Sequence, residues 1–166
     1  MRHSTPGEGL LHPIPGVAMG LFALNDHVLK SLHPGFWTGK LSDLAGLVFF
    51  PLLLQGFWEG ASALAGRQTA PSFRVWGVCA GLTALGFAAI QIHPGAAEAW
   101  REGLGLAQWP FRALWALSQG TDLPVPTPVR HTMDPTDLWA LPFLLLGAWP
   151  ARTRAATFST ETAELR

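Results

Sequence analysis

Asp26, Lys30, Lys40, Ser42 and Asp43 crowd into one short stretch, with Asn25 immediately before it. Carboxylates, ammonium groups and a hydroxyl at such spacing are the parts of an anion site, or of a carboxylate base with cations to orient it. Asp26 and Lys30 stand four apart with the acid first, the favourable order for a helical ion pair. In Thr38-Gly39-Lys40-Leu41-Ser42-Asp43, Thr38 or Ser42 suits a helix cap and Asp43 suits the first turn. Lys40 is unfavourable beside a helix N-terminus unless it pairs, and Asp26 and Asp43 are the nearest acids. Gly39-Lys40 is only superficially a phosphate loop, because the remainder of G-x-x-x-x-G-K-[ST] is missing, so nucleotide binding is set aside. A helix N-terminus with a lysine beside it still holds phosphate or carboxylate well. Asp26 and Asp43 are therefore candidate bases or orienting groups, and Lys30, Lys40, Ser42 and Asn25 candidate ligand contacts.

A second group lies further along the chain. Asp134, Asp137 and His93 offer hard oxygen and imidazole donors of the kind that bind a divalent metal. Each also has an ordinary explanation. Asp134-Pro135-Thr136-Asp137 reads as a helix start, with Asp as cap, Pro first and an acid at the third position. His93, before Pro94, sits where a histidine interacts well with a helix C-terminus. His27, His33 and His131 are weaker candidates. No H-E-x-x-H, G-x-S-x-G or C-x-x-C run fixes a chemistry.

The elements that must position these groups are apolar. Of the 166 residues, 49% are apolar and 13% charged, against about 25% charged in soluble domains. Formal net charge is zero, so no basic field draws nucleic acid. Cys79, the single cysteine, lies in an apolar run and has no intrachain disulfide partner.

Four apolar segments read as membrane spans: Leu10 to Leu29, Leu41 to Trp58, Phe73 to Ile92 and Asp137 to Trp149. The first has a short apolar core like a signal peptide, but no A-x-A site follows, so it reads as an uncleaved anchor. Pro51 is expected to kink the second, and the fourth is short and contains Pro142. The third is rich in small residues, including Gly77-x-x-x-Gly81, which suit close helix packing and an oligomer or larger membrane complex. Between the third and fourth, Glu98 to Gln119 mixes Arg101, Glu102 and Arg112 with Leu104, Trp109, Phe111 and Trp115. That pattern predicts an amphipathic helix in the interface plane. Thr121 to Pro128, with three prolines, predicts an extended loop, and the tail from 155 to 166 predicts a frayed end.

The expected fold is thus all-α: a single membrane domain, a four-span bundle with one interfacial helix in the third loop. Arg2, Arg67, Arg74, Arg152 and Arg154 lie on one side of it and place both termini in the cytoplasm. The polar cluster then faces the extracytoplasmic side.

Asn25-Asp26-x-x-x-Lys30 followed by Thr38-Gly39-Lys40-Leu41-Ser42-Asp43-Leu44-Ala45-Gly46 resembles a pattern shared by small bacterial integral membrane proteins to which no activity is attached. It covers residues 25–51. The resemblance implies a bacterial plasma-membrane protein and weight on Asp26, Lys30, Lys40, Ser42 and Asp43, and it implies no mechanism.

Three functions follow. One is a site at the extracytoplasmic membrane surface that binds or processes a lipid headgroup or another anionic amphiphile, with membrane lipids as partner and a divalent metal at the aspartates as its cofactor option. The alternative is a structural or accessory subunit whose polar cluster clamps helices together. A transporter ranks third, because the middles of the spans lack charge and Gln55 and Glu59 lie toward the cytoplasmic end.

Overall fold

The computed structural model describes residues 5–33, 35–67 and 70–164, so Arg2 lies outside the described residues. The chain is 81% helix, with no strand among the described residues. Two helices, Phe36–Leu64 and Phe73–Ile92, are long and apolar enough to cross a membrane. The chain divides into two compact units, Met1–Leu85 with Trp139–Arg166, and Gly86–Leu138.

In the first unit a short 3-10 turn, Glu8–Leu11, leads to α1, Pro13–Leu24. His12 starts α1, its Nδ1 accepting from the Ile14 N–H at 3.2 Å. Pro13 follows at the first helical position, where a missing N–H costs least. The path continues through a π turn, Asn25–Leu29, into the short α2, Lys30–Leu32. The expected first span is therefore broken at the extended His12, helical from Pro13 on, and widened at its polar end.

The second span begins earlier than expected, as α3, Phe36–Leu64. The Thr38 hydroxyl accepts from the Gly35 N–H at 3.1 Å, and Phe36 meets Trp37 edge-on at 5.5 Å between centroids. Those contacts hold the extra first turn. Thr38 is consequently inside α3 rather than its N-cap, and Ser42 and Asp43 lie beyond its first turn. The helix runs on through the buried Pro51.

The expected third span is α4, Phe73–Ile92, with the bounds the sequence predicts. The fourth is not an α-helix but a 3-10 helix, Pro135–Gly147. A 3-10 helix rises ~2.0 Å per residue against ~1.5 Å for α, so this segment reaches about 26 Å instead of about 20 Å. Gly147 sits so close to α3 that a Cβ there would lie 2.7 Å from the Val48 carbonyl oxygen, a spacing only glycine accepts.

The expected frayed tail is instead α6, Ala148–Glu164. Its first turns are anchored by buried Ala151, which packs with Leu52 and Trp76 in the core of this unit. Phe73 stacks on Trp76, and Arg152 lies 4.9 Å over the Phe73 ring. Thr153, Thr157, Ser159 and Thr160 return their hydroxyls to carbonyls one turn back, which satisfies those hydroxyls within the helix.

The second unit holds the end of α4, then α5, Pro94–Ser118, and an extended strap over 121–134. The strap lies back along α5. Trp109 Nε1 donates to the Pro124 carbonyl at 2.7 Å, Arg112 Nη1 to Thr127 Oγ1 at 2.8 Å, and the Val129 N–H to the Arg101 carbonyl at 3.0 Å. Gly105 makes that approach possible, since a Cβ there would lie 2.3 Å from the Thr127 carbonyl oxygen. The loop thus covers the face of α5 that carries Arg101, Gly105 and Trp109, while Glu102, Gln108 and Arg112 stay exposed. Phe111, Leu114 and Trp115 remain exposed.

Candidate functional site

Four of the sequence-selected residues meet where the π turn faces α3. Asn25 is fully buried. Its Nδ2 donates to the Thr38 carbonyl at 2.6 Å and to Ser42 Oγ at 2.7 Å. Ser42 Oγ in turn donates to Asp26 Oδ1 at 2.7 Å. Lys30 Nζ donates to the same Oδ1 at 2.6 Å, one helical turn away as its spacing predicts. In a regular α-helix neighbouring side chains diverge, and here the wider turn brings both Asn25 and Asp26 onto one serine. π turns of this kind recur at functional sites.

The cluster is graded in burial. Asn25 lies inside, Ser42 is buried, and the Asp26 and Lys30 side chains are 33% and 41% exposed. Its inner end can only bind α1 to α3. Its outer end can meet solvent, a counter-ion or a headgroup. A carboxylate oxygen already accepting a hydroxyl and an ammonium is well placed to orient Lys30, and poorly placed to remove a proton from a substrate.

Lys40 has interactions of its own. Its Nζ lies 4.6 Å over the Phe36 ring, which offsets the cost of a cation early in α3. Asp43, next to Ser42 in α3, is likewise engaged in interactions of its own.

The three metal candidates are each committed elsewhere. His93 does not serve the end of α4; it caps the start of α5, with Nδ1 accepting from the Ala96 N–H at 3.2 Å. The physical reason is Pro94, which opens α5 at once and leaves the Ala96 amide to be satisfied. Asp134 Oδ1 accepts from the Thr136 N–H at 2.9 Å and from Thr136 Oγ1 at 2.7 Å, as a cap should. Asp137 Oδ2 accepts from Gln91 Nε2 at 3.2 Å. Among the described residues, no group of three or more His, Cys, Asp or Glu side chains stands together where it could hold a metal ion.

Two polar centres escaped sequence reasoning. Gln91 is 2% exposed and bridges two acids, giving Nε2 to Asp137 and taking the Asp134 N–H on Oε1 at 3.0 Å. Glu59 is the other. Arg154 Nη1 donates to both its oxygens, at 2.8 and 2.9 Å, and the two side chains are only 12% and 5% exposed. Gln55 Nε2 adds a bond to Oε1 at 3.0 Å, and the Gly7 N–H one to Oε2 at 3.0 Å. Arg154 Nη2 also reaches the Thr5 carbonyl at 2.8 Å. The signal available in the sequence was an acid and an amide on one face of an apolar helix, which must find partners. Arg154 had been assigned to membrane orientation instead.

The chain matches no family model, no curated protein and no solved structure.

Proposed function

We propose that the chain is a small four-span membrane protein of a bacterial plasma membrane that binds an anionic lipid headgroup at the junction of α1 and α3. The observation that carries this is the graded chain Asn25–Ser42–Asp26–Lys30, buried at one end and open at the other. The buried end fixes where the open end stands. Lys30 then offers its remaining N–H groups to a phosphate, and Lys40, one turn into α3, adds a second cation near the same level. In this reading α1 with its π turn, α3, α4 and the 3-10 helix are the spans, and both termini are cytoplasmic. The exposed Phe111, Leu114 and Trp115 lay α5 in a membrane interface. Binding rather than catalysis is favoured because Asp26 Oδ1 already takes two donors.

A second reading has its own observation. Asn25 has no exposed surface, so its bonds serve packing alone, and the whole cluster can be a clamp with no ligand.

Detergent-purified protein separates the two. Its melting temperature is measured with added phosphatidylglycerol and with phosphatidylcholine of the same chains, for wild type and Lys30→Gln. Selective stabilisation by the anionic lipid, reduced in Lys30→Gln, supports the headgroup site. Equal stabilisation by both lipids sinks it and leaves the clamp.

A further inference from the structure

The headgroup reading concerns the polar end of α1 and α3. Below that end the same two helices leave an open groove of about 410 Å³. Val17 and Leu21 line it from α1, Leu41 and Leu44 from α3, and Phe143 and Leu146 from the 3-10 helix. Its walls are almost wholly apolar. A volume in this range accepts a substantial part of a small apolar ligand.

We infer that this groove seats one acyl chain of an anionic phospholipid whose phosphate lies at Lys40, an inference that rests on the membrane reading above. Three observations choose this occupant. The groove stripe continues up α3 without a break, because Trp37 shares a face with Leu41 and Lys40 with Leu44, each four residues apart. Trp37 is 81% exposed, and an exposed tryptophan at a helix start belongs at headgroup depth. The Lys40 ammonium lies over Phe36, a turn nearer the helix start than its own backbone, so the cation stands past the apolar groove rather than within it. An apolar trough topped by a tryptophan and a cation matches a chain topped by a phosphate.

The test uses full-length protein in detergent, with native mass spectrometry reading how much phosphatidylglycerol or phosphatidylcholine stays bound. Wild type is expected to retain phosphatidylglycerol about fivefold more tightly, the worth of one interfacial cation. Val17→Trp fills the groove from a position already 62% exposed, so the fold is not challenged. It is expected to weaken retention of both lipids by about tenfold, some 1.4 kcal/mol. Lys40→Gln is expected to keep chain binding and lower the preference for phosphatidylglycerol. Unchanged retention in Val17→Trp overturns the groove, and an unchanged preference in Lys40→Gln overturns the phosphate position. The membrane reading is checked apart from these, by alkaline extraction of vesicles. Release of wild type there removes both proposals, whereas full retention in the vesicles with lipid binding unchanged in Val17→Trp removes the groove alone.

Discussion

The two ends of α3 carry the same pair of groups in opposite settings. Near its start, Asp26 and Lys30 meet at 2.6 Å with a third or more of each side chain exposed. Near its end, Glu59 and Arg154 meet at 2.8 Å with almost none. Ser42 and Glu59 are separated by ~25 Å along the helix at ~1.5 Å per residue. Burial changes what the same chemistry does. An exposed pair gains little from its attraction because water and salt screen both charges. A buried pair has lost its water, so each partner depends on the other and on every remaining hydrogen bond. The Glu59 carboxylate accordingly takes four bonds, two from Arg154 and one each from Gln55 and Gly7. It ties the N-terminal segment, α3 and α6 together. Asp26 has a free edge, which a structural rivet does not need.

The largest break in this comparison comes from removing one buried partner. Arg154→Ala strands the Glu59 charge and is expected to cost about 3–5 kcal/mol in unfolding experiments. Replacing both residues with leucine is expected to recover most of that loss. If the double variant is no more stable than the single one, Glu59 is not an uncompensated charge in Arg154→Ala. Next comes Asn25→Ala, which removes two donated bonds at a fully buried position. About 1–3 kcal/mol is expected from the same measurement, and a neutral result would show that Asn25 does not clamp α1 to α3. Ser42→Ala is expected to cost about 1 kcal/mol. It also frees Asp26, so a double-mutant cycle with Lys30→Gln should reveal coupling between them. The smallest effect belongs to Lys30→Gln alone, about 0.5 kcal/mol, fading as salt is raised. A loss as large as that of Arg154→Ala would erase the distinction between the two ends.

Much of the helical layout was readable from composition and periodicity, because apolar runs bounded by Pro, Gly and charge leave few alternatives. α4 has the bounds its pattern implies, and α5 is helical where the amphipathic pattern predicts, with a start four residues earlier and an end one residue earlier. The Asp26–Lys30 pair followed from spacing alone. What was not readable depended on partners distant in sequence. Glu59 and Arg154 meet across 95 positions, and nothing local marks Arg154 as an anchor rather than an orienting charge. The same long-range bond explains why the tail is helical. The π turn and the 3-10 helix were hidden for another reason. Each differs from an α-helix by one residue in its hydrogen-bond step, and hydrophobic periodicity is too coarse to register that. The metal trio failed because a capping residue and a metal ligand are the same kind of atom in the same kind of position, and backbone N–H groups claimed His93 and Asp134 first.

The direction of the bonds around Ser42 has a further consequence. Asn25 gives to Ser42, Ser42 gives to Asp26, and Lys30 gives to the same oxygen from the other side. The polarity converges on one atom from both ends. A relay needs each member to receive a proton on one side and release it on the other, and an amide at the head of the row does neither. As an electrical element the row is an insulator with a fixed charge at its sink. It can hold a field steady at the mouth of α3, but it cannot carry current through it.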